Sequence, residues 1–259
     1  MEYFKDNKRS IKILEFIKQA YKKEHDDFHK FSLISLDADC KKDNFYSFLK
    51  KVVLMDVQSR PNNLSKYKVL KIFDSLEEMK KDFTEKNLKG KFKNAEKLLG
   101  YLEEKLLSVK NIGYKITYVV VKNLVFFGDT EKYFGFKQNE LISSLKLPVD
   151  VHVKSLLCYR LELCPADLYD KIKSENKEFQ KELKEEICKK SKKLNPIDLD
   201  ILWYIGYQNC NKRVYCNNCK IKDYCQDSYF ERETRKKLKD EKRREKEIDF
   251  VKKHSGHRF

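Results

Sequence analysis

The chain has 259 residues, with 57 Lys and Arg against 41 Asp and Glu and a formal net charge of +16. A charged fraction of 38% beside 41% hydrophobic and 13% aromatic residues excludes a disordered chain, and seven glycines with four prolines argue against an all-β sandwich or barrel. No apolar run approaches the ~18 residues of a membrane span, and Met1 to Ser10 lacks the apolar segment of a secretory signal. A soluble, intracellular, mostly helical protein with no membrane partner is expected. The charge excess predicts an anionic partner, with nucleic acid first. The same excess would also follow from a lysine-rich composition alone, so a motif has to decide.

In chain order, Ile11 to Tyr21 carries one apolar stripe at Ile13, Leu14, Ile17 and Ala20, which predicts a helix. His25, Asp26, Asp27 and His29 follow; they imitate a metal site, but read better as a solvated helix end. Phe45 to Val57 repeats the helical pattern and stops at Gln58-Ser59-Arg60-Pro61. Leu64 to Phe73, Leu76 to Phe83 and Ala95 to Leu107 read as further amphipathic helices. Ile116 to Phe127 is almost wholly apolar and β-branched, yet its length and the short link before it favour a buried central helix. Phe134 to Leu145, Pro148 to about Leu161, Ala166 to Lys192 and Ile197 to Tyr207 complete the helical expectation. The stretch 231–259 is a basic tail rather than core.

Cys210, Cys216, Cys219 and Cys225 lie within sixteen residues, spaced C-x5-C-x2-C-x5-C. Without a secretion signal, clustered thiols point to a metal rather than to disulfides. Zinc sites usually present two tight pairs across a longer loop, whereas here a single tight pair is flanked at equal intervals. Four thiolates in one compact loop suit a [4Fe–4S] cluster, with zinc as the alternative.

Val109 to Lys115 joins two apolar helices through Ile112-Gly113. A tight turn running into a helix leaves backbone N–H groups directed outward, which suits an anion. Lys110, Asn111 and Gly113 are therefore candidate phosphate contacts; Gly113 lets a phosphate approach the backbone, and Asn111 tolerates a left-handed conformation.

Taken in order, Val57-Gln58-Ser59, the hairpin ending at Lys115, Leu147-Pro148-Val149-Asp150-Val151-His152-Val153 and the four-cysteine loop resemble the helix-hairpin-helix DNA glycosylases of the endonuclease III superfamily. The resemblance covers roughly residues 45–226. It implies an all-α fold of two lobes: residues 44–147 ending in the helix-hairpin-helix, and residues 1–43 with 148–230, which carry the cluster loop at 210–225. It implies a bifunctional DNA glycosylase and abasic-site (AP) lyase of base excision repair. Lys115 falls on the family's Schiff-base lysine, Asp150 on its catalytic aspartate, and Gln58 on its gap-filling glutamine, with Arg60 close behind. The implied cofactor is a [4Fe–4S] cluster on Cys210, Cys216, Cys219 and Cys225. The implied partner is double-stranded DNA with a damaged base or abasic site, bound by a cytoplasmic, nucleoid-associated monomer.

Lys115 and Asp150 are separated by 34 residues, about twice the usual separation in endonuclease III relatives. That feature is more similar to the archaeal 8-oxoguanine glycosylases, whose pattern lacks the four-cysteine loop. A glycosylase breaks a C1′–N bond through a cationic sugar, which a carboxylate stabilises and a neutral lysine can capture. Lys115, at the start of a buried helix, is expected to face a dry pocket that destabilises its ammonium. The pocket lining is expected from Phe126 to Leu145, although its aromatic residues Phe126, Phe127, Tyr133, Phe134 and Phe136 read better as buried core. The alternatives are a non-catalytic iron–sulfur DNA-binding module and a monofunctional glycosylase.

Overall fold

In a computed structural model, residues 3–58, 65–146, 149–171, 177–210 and 219–225 are described. Every regular element among them is helical, as the composition predicts. The first helix, α1 (Asn7–Ser35), is far longer than the apolar stripe at its start, and Asp6 caps it by accepting from Arg9 N at 3.0 Å. Beyond Tyr21 its buried face continues through His25, His29 and Leu33 at four-residue steps. The two histidines are each only 4% exposed, so the reading of this segment as a solvated helix end is wrong.

Helix α2 (Phe45–Gln58) follows the predicted pattern, with Phe45, Leu49, Val52 and Val53 buried. Where two helices were expected, one forms: α3 (Lys66–Glu78), capped by Ser65, runs through Leu76 before the chain turns into the short α4 (Glu85–Leu88). Helix α5 (Ala95–Ser108), capped by Asn94, leads through the hairpin into α6 (Tyr114–Phe127). The β-branched run of α6 stays helical because α2, α5 and α8 (Gln138–Ser144) pack around it, leaving Val120, Leu124 and Val125 wholly buried.

The expected helix from Phe134 to Leu145 is split into α7 (Thr130–Phe134) and α8. Gly135 ends α7 in the left-handed conformation (φ 76°), a geometry that glycine adopts without steric cost. Helix α9 (Val151–Ser155) begins after Asp150 and passes into one π-helical turn, Leu156–Arg160. Helices α10 (Leu168–Lys171) and α11 (Lys177–Lys190) lie within the stretch expected to be helical, of which residues 172–176 are outside the described residues. A 3-10 turn (Pro196–Leu199) feeds α12 (Asp200–Cys210), and a last 3-10 turn spans Lys222–Tyr224.

Two apolar clusters divide these elements. One gathers α2, α3 and α5 to α8 around Phe48, Leu98, Leu102, Val121 and Tyr133. The other gathers the first half of α1, the turn after α9, α11 and α12 around Ile17, Leu157, Leu183, Leu202 and Ile221. Helix α1 serves both, placing Leu33 in the first and Leu14 in the second. The tail 231–259 lies outside the described residues.

Gly206 sets how closely α12 approaches α9. A Cβ built there would lie 2.6 Å from His152 Cβ, far inside van der Waals contact. Gly206→Ala is therefore expected to destabilise the fold by about 1–3 kcal/mol, as overpacking does. An unchanged urea midpoint would show that the two helices separate without cost.

Candidate functional site

A cavity of about 550 Å³ opens between the two clusters, with walls from α1, α2, α6, α9 and α12. Helix α6 contributes Lys115 and Lys122, seven residues apart and so two turns along one face. Lys115 sits at the cavity with a side chain 47% exposed, whereas the Lys122 side chain is 4% exposed. Each lysine meets a carboxylate from the other side.

Lys115 Nζ lies 2.7 Å from Asp150 Oδ2, so two residues 35 positions apart in the chain form an ion pair. Asp150 is 6% exposed and caps α9: its Oδ1 accepts from His152 N at 2.9 Å and Val153 N at 3.0 Å. Two backbone donors therefore fix one oxygen of the carboxylate and leave the other turned toward Lys115. The lysine does not face a dry pocket as expected. Its paired, half-exposed amine corrects the idea that desolvation alone activates it.

Lys122 Nζ pairs with Asp200 Oδ2, and His25 Nε2 contacts the same oxygen at 2.8 Å. Burial alone would raise the Asp200 carboxyl, but the Lys122 ammonium and the imidazoles of His25 and His29 hold it well below the usual range. Burial, then the charge on Lys122, pushes the His29 imidazole down to about 4. On α2, Asp56 lines the cavity and accepts from Asn123 Nδ2 at 2.9 Å.

The aromatic wall comes from α1 and α12. Phe28 lines it together with Trp203 and Tyr207, whose rings stack at 5.4 Å and 9°. None of the residues from Phe126 to Leu145 lines the cavity, contrary to expectation. Tyr133 and Phe134 instead pack against Phe45 in the first cluster at 5.3 and 5.0 Å. His152 lines the cavity beside Tyr207, and burial lowers its imidazole below the usual value.

The remaining sequence candidates are distributed around this cavity and the hairpin. Gln58 is exposed at the end of α2 and lines the cavity; Arg60 lies outside the described residues. In the hairpin, Ile112 N donates to Val109 O at 3.1 Å and Lys110 N to Ser75 Oγ at 3.4 Å. Asn111 takes the left-handed conformation (φ 67°), as its residue type suggested. Gly113 is the residue before α6, and an added Cβ there would meet nothing within 4 Å, so its backbone is open to approach.

Of the four clustered cysteines, Cys216 lies outside the described residues. Cys219 is buried in the second cluster, and Cys210 and Cys225 pack against it. These three sulfurs do not gather within 4.8 Å of one another, so the described cysteines are not arranged as a single-ion site. A tetrahedral zinc would draw them to about 3.8 Å, from its ~2.3 Å bonds to sulfur. A cube spreads its ligands wider, because each sulfur binds a different iron. Tyr21 Oη accepts from Lys220 N at 2.7 Å, and its hydroxyl donates to Cys219 Sγ at 3.4 Å. Burial, and then that hydrogen bond, pushes the Tyr21 phenol up. Lys220 Nζ is occupied by Glu24 and by Ala20 O.

Sequence reasoning missed His29, Asp56, Lys122, Asp200, Trp203 and Tyr207 as cavity residues. Two signals were readable: the seven-residue step from Lys115 to Lys122, and the four-residue step from His25 to His29, which was set aside as a solvated helix end. No family model, curated protein or solved structure matches the chain. No helix among the described residues is long and apolar enough to cross a membrane.

Proposed function

We propose that the chain is a bifunctional DNA glycosylase and abasic-site lyase, acting on duplex DNA with a damaged base turned out into the cavity. The observation that carries this reading is the Lys115–Asp150 pair, 2.7 Å apart beside a 550 Å³ cavity with an aromatic wall. A flat base stacks on Trp203 and Tyr207, and its sugar carbon C1′ lies over Lys115 and Asp150. The hairpin at Lys110 to Gly113 grips a phosphate, and Gln58 enters the gap that the base leaves.

Asp150 counters the positive charge that develops on the sugar. The C1′–N bond breaks with its electron pair on the departing base, which takes a proton from the Lys115 ammonium. The amine so freed bonds to C1′, and ring opening yields a Schiff base. Solvent water then takes a C2′ proton, and the C–H electron pair forms a C2′–C3′ double bond. The C3′–O bond breaks with its pair on the departing phosphate, cutting the strand. Cys210, Cys216, Cys219 and Cys225 would hold a [4Fe–4S] cluster, which supplies a rigid brace to the loop rather than chemistry at C1′. The two lobes of this fold class would be the two apolar clusters, with DNA across the cleft between them.

Single-turnover excision from duplexes that each carry one lesion tests the reading. Asp150→Asn keeps the α9 cap but removes the charge. Base release is expected to fall by about 10²–10³-fold, the usual cost of losing one group that stabilises transition-state charge, with DNA affinity changed only a few-fold. Equal excision by the variant and the parent would assign Asp150 to the helix cap alone.

A further inference from the structure

The residues beneath the Lys115–Asp150 pair carry a second chemistry. We propose that His25, His29 and Asp200 form a binding site for a divalent transition metal on the wall of the cavity. The two histidines are four residues apart, so their rings project from one face of α1, with centroids 4.6 Å apart. Asp200, the first residue of α12, meets them from the helix packed beside α1. His25 Nε2 is 2.8 Å and His29 Nε2 3.4 Å from Asp200 Oδ2, and the three ligand atoms lie within 4.8 Å of one another. His25 and His29 are 4% exposed and Asp200 is 2% exposed.

Two further features point to a ligand. His29 Nε2 is buried and makes no hydrogen bond, although its ring lines the cavity. This nitrogen lies 3.4 Å from Asp200 Oδ2, an ion-pair distance, and a buried nitrogen that lacks a hydrogen bond costs stability unless something else engages it. The other nitrogen of His25 faces Asp26 Oδ1 at 3.5 Å, the kind of outer carboxylate contact that orients a metal-binding imidazole. Two imidazoles and one carboxylate are the donors of zinc and non-haem iron(II) sites that keep positions open for another ligand. Here the open side faces the cavity.

Lys122 sets the terms of occupancy. Its ammonium lies on the same Asp200 oxygen, so the chain supplies its own cation at this point, and a metal ion must displace it. Lys122 also lines the cavity and has that space to move into. A metal therefore binds the unmodified chain in competition with one lysine, and an uncharged side chain at position 122 removes that competitor. The site is independent of the proposed Lys115 chemistry.

Cobalt(II) titration of the full-length protein, followed by visible absorption, distinguishes this site from the cysteine loop, because thiolate ligands add a sulfur-to-cobalt charge-transfer band that imidazole and carboxylate do not. One cobalt with nitrogen–oxygen bands alone is expected in addition to any thiolate-bound ion. Lys122→Met should tighten it at least about tenfold and His29→Gln weaken it at least about tenfold, with helicity checked by circular dichroism. Thiolate-type bands alone in both the parent and Lys122→Met would overturn the proposal. Nitrogen–oxygen bands that survive His29→Gln unchanged would do so too.

Discussion

Lys115→Gln is expected to abolish both base release and strand cleavage, lowering single-turnover excision by on the order of 10³-fold or more, while duplex binding stays within a few-fold. The size follows from what the side chain does. The proposed reaction uses its ammonium proton for the departing base and its amine for the bond to C1′, and glutamine supplies neither. Folding should be little affected, because the Lys115 side chain is 47% exposed, the glutamine amide can still donate to Asp150 Oδ2, and the other Asp150 oxygen stays fixed by two backbone donors. A variant that still releases base but no longer cuts the strand would make water the nucleophile, and the monofunctional reading would replace the bifunctional one. A variant as active as the parent in both steps would remove Lys115 from the chemistry.

Asp200→Ala is expected to have the largest effect on stability, about 3–5 kcal/mol in urea denaturation, because it leaves the Lys122 ammonium buried without its counter-charge. The carboxylate joins three elements: Lys122 from α6, His25 and His29 from α1, and its own α12. Its loss therefore also loosens the cavity wall between the two apolar clusters. The contrast is Lys80→Ala, which opens a surface pair with Glu77 (side chains 58% and 52% exposed) and should cost under about 1 kcal/mol. If both variants unfolded at the same urea concentration as the parent, the buried cluster would contribute nothing net to holding the helices together.

Local pattern carried much of the fold. The stripes of α2, α5 and α6 were readable because apolar residues dominate the buried face of each, and the β-branched α6 was readable as a helix from its length. The second half of α1 was not readable. Its buried face is made of His25 and His29, and two polar residues are buried there only because Asp200 and Lys122 meet them from far along the chain, 175 residues from His25 in the case of Asp200. The split between α7 and α8 rests on one glycine, Gly135, whose left-handed turn is indistinguishable in sequence from a glycine tolerated within a helix.

The candidate site divides in the same way. Lys115 and Asp150 were found from the order of motifs, and the hairpin's Asn111 was found from its residue type. The cavity walls were misplaced onto Phe126 to Leu145, because an aromatic-rich segment reads alike whether it packs a core or lines a pocket. Trp203 and Tyr207 reach the cavity through the closeness of α12 to α9, which depends on the missing side chain of Gly206. A long-range packing distance of that kind leaves no periodic trace.

The most direct measurement is borohydride reduction of the purified protein mixed with duplexes carrying single damaged bases or an abasic site, followed by peptide mapping of any covalent adduct. A protein–DNA adduct whose cross-link maps to Lys115 is the predicted result, and the lesion that traps best identifies the substrate. Salt-sensitive DNA binding with no adduct on any duplex, or an adduct mapped to another lysine, would contradict the account.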